Sequence, residues 1–98
     1  MAILNDVKIR LRVSVANTAF DADITALIAE AKKDIQRAGI MEASIIDTDP
    51  AIIRAIVLYC KTYFDLNNPD FERWAQSYES MKISLALDAD YKVVAEVV

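Results

Sequence analysis

From Asp21 to Ala38, Ile24, Leu27, Ile28, Ala31, Ile35 and Ala38 fall on one face at helical spacing, while Glu30, Lys33, Asp34 and Arg37 lie mostly opposite. That period predicts an amphipathic helix, and Gly39 behind it can take the left-handed conformation that closes one. From Pro50 to Asp65 the chain is apolar nearly all round, broken only by Arg54, Lys61, Thr62 and Asp65. A helix covered that fully belongs at the centre of a bundle or between subunits, with the stripe Arg54, Leu58, Lys61 and Asp65 turned outward. From Pro69 to Leu87, Phe71, Trp74, Tyr78, Met81 and Leu85 make a heptad-like seam, and Ile83 and Leu87 begin a second apolar face. Asp49 precedes Pro50 and Asn68 precedes Pro69. An Asx cap followed by proline is a start signal, because the missing proline N–H has no helical partner in the first turn.

The opening segment is open to two readings. Val7–Val15, "VKIRLRVSV", alternates apolar and polar residues without a fault, which by period is a strand. Leu4, Val7 and Leu11 also form a helical stripe that Asn5 or Asp6 could cap. A strand there would need a partner, and the other strand-like stretch is the closing "YKVVAEVV"; a lone pair of strands is marginal unless packed. "VSVANTAF" and "IMEASIIDT" read as mobile connections, and no internal repeat or low-complexity stretch occurs.

Composition sharpens this picture at one point. The chain has 98 residues, enough for one domain, yet 55% of them are apolar, above the roughly 45–50% usual for globular domains. A domain this short has a thin core. No apolar run approaches the ~20 residues of a spanning helix, and charges interrupt "MAILNDVKIRL" too early for a signal peptide. Burial against other protein chains is the remaining way to cover the excess.

Charge excludes more than it suggests. Acids exceed bases by 15 to 11, and both halves share the excess, so there is no basic domain or tail. The one basic cluster, Lys8, Arg10 and Arg12, reads as a solvated face or interface rim more readily than as a nucleic-acid contact. With no histidine and a single cysteine, a Ser-His or Cys-His nucleophile is impossible and no intrachain disulfide can form. Intracellular folding is therefore expected. Cys60, among Leu58, Tyr59 and Tyr63, reads as a small core hydrophobe. Asp21/Asp23, Asp47/Asp49 and Asp88/Asp90 repeat the pattern Asp-x-Asp, but none is followed by the glycine and glutamate of a calcium loop. The first two pairs stand where helices begin, and capping explains them better. No cofactor or metal site and no enzymatic activity is expected.

Four stretches together resemble the head-to-tail connector (adaptor) proteins of tailed phages and prophages: "DVKIRLRVS", "DADITALIAEAKKDIQRAGI", "DPAIIRAIVLYCKTYFD" and "YESMKISLALDADYK". The likeness covers nearly the whole chain, although "VSVANTAF" lacks the dense acids such a protein carries between its first two helices. It implies an all-α fold, a small four-helix domain with one short N-terminal helix and three longer ones. Residues 1–98 then form a single domain, 1–87 its helical core and 88–98 an extended C-terminal tail, with the opening segment helical.

The resemblance also implies a role. Such proteins sit at the virion head–tail junction, made in the host cytoplasm, as a homo-oligomeric ring of about a dozen copies below the portal protein. DNA passes through without specific binding, a stopper or tail-completion protein docks on the ring, and no membrane is involved. The expected subunit or partner contacts are Trp74, Tyr78, Met81 and Leu85 on the last helix, and Tyr91, Val93, Val94, Val97 and Val98 on a tail that is loose in the free monomer. A generic helical interaction module and a small DNA-binding regulator are the alternatives from other classes.

Overall fold

The computed structural model describes residues 2–64, 68–88 and 91. Four α-helices follow in order: α1 Ala2–Arg10, α2 Asp21–Arg37, α3 Pro50–Phe64 and α4 Phe71–Leu87, with a one-turn 3-10 segment at Glu42–Ser44 between α2 and α3. The fold is all-α, and no strand forms among the described residues.

The first segment is therefore helix, but it covers only the first four residues of the faultless alternation, Val7 to Arg10. Helix α1 ends at Arg10. The Arg12 N–H then donates to Ile9 O at 3.1 Å and the Val13 N–H to Lys8 O at 2.8 Å, and Arg12 itself takes φ 64°. Those two bonds around a left-handed residue are the Schellman stop. Ile3 and Val7 are buried while Ile9 is exposed, so only the helical stripe of the alternating pattern faces the core. A period of two has value only where a neighbouring strand completes the ladder, and here none does.

The later boundaries follow the local chemistry. Gly39 has φ 104°, the left-handed region in which a Cβ is strained, and its N–H donates to Gln36 O at 3.1 Å. Asp49 caps α3 through Oδ1, which accepts the Ala51 N–H at 2.9 Å. Asn68 caps a turn instead of a helix: its Oδ1 accepts the Asp70 N–H at 2.8 Å, and its carbonyl accepts the Phe71 N–H at 3.1 Å. That tight turn delays α4 to Phe71.

Helix α3 touches each of the other three helices, as its all-round apolarity predicts. It buries Ile52, Ala55, Ile56, Val57 and Cys60 against Ile24, Ile28, Ala31 and Ile35 of α2 and Ile3 and Val7 of α1. Thr62, read above as a break in the apolar surface, is also buried; its hydroxyl donates back to Leu58 O at 2.8 Å, which satisfies the group without a partner helix. Burial pushes the Cys60 thiol up to about 12, with the Glu30 carboxylate adding to the effect. It is a packing residue and stays protonated.

Candidate functional site

Lys8 is not part of a solvated basic face. Its side chain is 1% exposed, and its ammonium donates to Val15 O at 3.0 Å, Asn17 O at 2.6 Å and Asp21 Oδ1 at 2.6 Å. An ammonium has three donors, and all three are used. The lysine thus fastens the 13–20 loop and the start of α2 onto α1. Asp21 is its counter-ion, and no side chain caps α2. Asp21 and Asp23 still stand in the first turn of α2, where negative charge favours the dipole. Asp47 lies 2.6 Å from Lys32 Nζ, while Asp49 caps α3. Asp88 lies within the described residues and Asp90 outside them.

The loop that Lys8 holds delivers Phe20 to one side of the bundle. There Phe20 meets Phe64 edge-on with ring centroids 5.5 Å apart, and Tyr63 meets Phe71 at 6.0 Å. Phe20, Leu27, Tyr63 and Phe64 form the apolar wall of an open groove of about 510 Å³, and Asp23 and Glu30 are its only charges among the described residues. Phe20 and Tyr63 remain 42% and 41% exposed, large aromatic surfaces that the other described residues leave open. Beside the groove the Tyr59 hydroxyl donates to Glu30 Oε1 at 3.4 Å; burial, then the Glu30 charge, push that phenol up to about 12.

A second groove lies on the other side of α3. Nine residues separate Arg54 from Tyr63, and at about 100° per residue they point roughly 180° apart around the helix. Leu58, Trp74 and Met81 line this second groove, with Arg54 and Arg73 along one stretch and Arg10 and Lys61 along another. Arg12 joins Arg10, Lys61 and Trp74 at its end. None of the described lining residues is acidic; Asp70, outside the lining, stands 3.7 Å from Arg73. Lys61 Nζ lies 4.4 Å from the Trp74 ring centre and the Arg73 guanidinium 5.1 Å, so the indole sits among cations that its π-face attracts. The stripe Arg54, Leu58 and Lys61 is thus one wall of a groove that α4 completes; Asp65 lies outside the described residues.

The expected contact residues divide accordingly. Tyr78 and Leu85 are buried in this chain's own core, so they are not surface. Trp74 and Met81 open onto the basic groove. Val93, Val94, Val97 and Val98 lie outside the described residues. Tyr91 is described, and it is docked on its own chain: its carbonyl accepts the Met41 N–H at 2.6 Å, and its hydroxyl donates to Asp49 Oδ2 at 2.9 Å. Asp49 can do both jobs because capping uses only one of its oxygens. At Tyr91, then, the chain is held against the bundle, while residues 89, 90 and 92–98 of the tail expected to be loose lie outside the described residues. Tyr91→Phe is expected to cost about 1 kcal/mol, read as a lower urea midpoint at unchanged slope; an unchanged midpoint means that the hydroxyl does not hold the tail.

A buried polar group links α2 to α4. The Tyr78 hydroxyl donates to Asp34 Oδ2 at 2.6 Å and Lys82 Nζ donates to the same oxygen at 2.9 Å. Lys82 also reaches Glu79 Oε2 at 3.1 Å. This cluster is structural, and nothing about it requires a ligand.

Neither groove assembles catalytic chemistry, and among the described residues no three Cys, Asp or Glu side chains gather as a metal site. No helix of the described residues is long and apolar enough to cross a membrane. The arrangement offers surface: an acidic aromatic groove on one side and a basic, tryptophan-centred groove on the other. The basic groove was not legible from the linear order, because Arg10, Arg54, Lys61 and Arg73 are scattered over three helices. The local signs of it were the pairing of Arg54 with Lys61 on one stripe and the nearness of Arg10 to Arg12 in the first segment. Compared with known proteins, residues 3–92 match the family model of the phage connector protein. No curated protein matches the chain, and no solved structure does.

Proposed function

The chain belongs to the phage connector protein family, and from that premise we propose that it forms a ring below the capsid portal, joins head to tail and lets DNA pass. The carrying observation is the family match over residues 3–92. The surface supports the reading physically. Phe20 and Tyr63 on one side, and Ile83 and Leu87 at the end of α4, stay open to solvent, in a chain whose core is already filled by α3. Clustered apolar surface is characteristic of protein contacts, and Phe20 and Tyr63 open onto one groove. A closed ring uses two different patches on each subunit, and the grooves on opposite sides of α3 are of different kinds. The net charge of −4 suits a channel that should not grip a polyanion.

In this role the protein is a structural component of the virion, located at the head–tail junction. Its partners are its own copies, the portal above and a stopper or tail-completion protein below. It carries no catalytic step and no cofactor. Electron microscopy of the protein at millimolar concentration is expected to show closed rings of one diameter, since mass action favours weak contacts there. A strictly monomeric species under those conditions, by light scattering on the same sample, overturns the ring.

A further inference from the structure

Resting on that ring reading, we propose that neighbouring subunits join by docking the acidic aromatic groove of one copy onto the basic Trp74 groove of the next. A head-to-tail contact needs two patches that differ and do not overlap. The first groove and the Arg54–Arg73 stretch of the second meet that requirement: they share no lining residue, and Tyr63 and the Arg54 stripe leave α3 in roughly opposite directions. They are also complementary in charge. Among the described residues, Asp23 and Glu30 are the only charges lining the first groove, while Arg54 and Arg73 line the second, whose described lining holds no acid; Asp70, just outside that lining, stands 3.7 Å from Arg73. Asp23, Glu30, Arg54 and Arg73 are all exposed.

The apolar parts match as well. Phe20 and Tyr63 stand partly uncovered on one side, and Leu58, Trp74 and Met81 offer an apolar floor on the other. A second copy of this chain accounts for both grooves at once. A nucleic-acid phosphate would use the cations and leave the exposed aromatics and the carboxylates on the opposite side without a purpose. Charge complementarity of this kind fixes register and orientation and rejects the wrong pairing.

The test is a charge exchange in the full chain. In one variant Asp23→Lys and Glu30→Lys are combined; in the other, Arg54→Glu and Arg73→Glu. Each variant alone meets its neighbour with like charges, so sedimentation velocity is expected to show at least a hundredfold weaker self-association than the parent, on the order expected for opposed like charges. Mixed in equal amounts, each variant offers the other a complementary face on both sides, and large oligomers are expected to return. Circular dichroism confirms that each variant keeps its helices, and if one does not, salt titration of the parent decides instead. Assembly through these faces weakens as salt screens the charges.

If both variants assemble as the parent does, or their mixture fails to recover, the face assignment is wrong while the ring stands. If the parent itself never associates, the ring reading fails and this pairing with it. If the arginine variant assembles normally but loses a retention of duplex DNA that the parent shows, the basic groove is a phosphate site and the proposal is overturned.

Discussion

Lys8→Met is expected to cost about 3–5 kcal/mol of folding stability, the penalty typical of breaking a buried ion pair from one side. The methionine would fill similar volume, so the loss is not one of packing. It arises because Asp21 loses its counter-ion and the carbonyls of Val15 and Asn17 lose their donor together. A chain of this size has roughly 5–15 kcal/mol in hand, so the variant should sit near its unfolding threshold. Thermal unfolding should move by about 4–8 °C for each kcal/mol lost. The effect should also reach the surface, since the 13–20 loop carries Phe20 to the acidic groove. With stability restored by lower temperature, the variant is expected to associate less well than the parent. An unchanged urea midpoint would show that Lys8 is solvated and that the loop is held by something else.

Asp34→Ala is the second large effect, about 2–3 kcal/mol, because hydrogen bonds to a charged group are among the stronger ones. The change leaves the Tyr78 hydroxyl, buried in the core, with no acceptor, and takes from Lys82 one of its two carboxylates. The pH dependence identifies the cause. Burial works against the Asp34 charge, but the Tyr78 hydroxyl and the Lys82 ammonium outweigh it and hold the carboxyl below its ordinary value of 3.8. A lowered folded value means that the stabilisation is present above about 3.8 and is lost as the pH falls through the folded value. The gap between parent and variant should therefore be full at neutral pH and close in acid.

The alkaline side has the opposite sign. Burial, then the Asp34 acceptor, push the Tyr78 phenol far above its ordinary 10.0, so its stabilisation is complete below that value and is lost as the pH rises beyond it. Cys60 and Tyr59, both raised to about 12 from ordinary values of 9.0 and 10.0, give the parent a decline that starts near 9. Asp34→Ala should soften the part that belongs to Tyr78. Urea unfolding across the pH range measures both limbs, and a constant gap from acid to alkali would remove Asp34 from this role.

Much of the architecture was legible along the chain. The spacing of Ile24, Ile28, Ala31 and Ile35, the capping by Asp49 and the left-handed Gly39 are all governed by atoms a few residues apart, so reading them in order was sufficient. The apolar surface of α3 likewise announced a central helix. Where the local rules gave two answers, as in "VKIRLRVSV", the residues could not choose, because strand and helix both present an apolar face and only a neighbour decides which face is used.

What the sequence by itself determined was the three later helices, the ends of α2, the start of α3 and an apolar content in excess of a thin core, since these depend on short-range hydrogen bonding and on composition. Only the tertiary structure decided that Lys8 turns inward to acceptors up to 13 positions away and that Tyr78 belongs to the core. It also decided that scattered cations converge on Trp74 opposite an acidic groove. The reason is geometric: a long side chain's partner is set by how whole helices dock, and no local spacing records that distance.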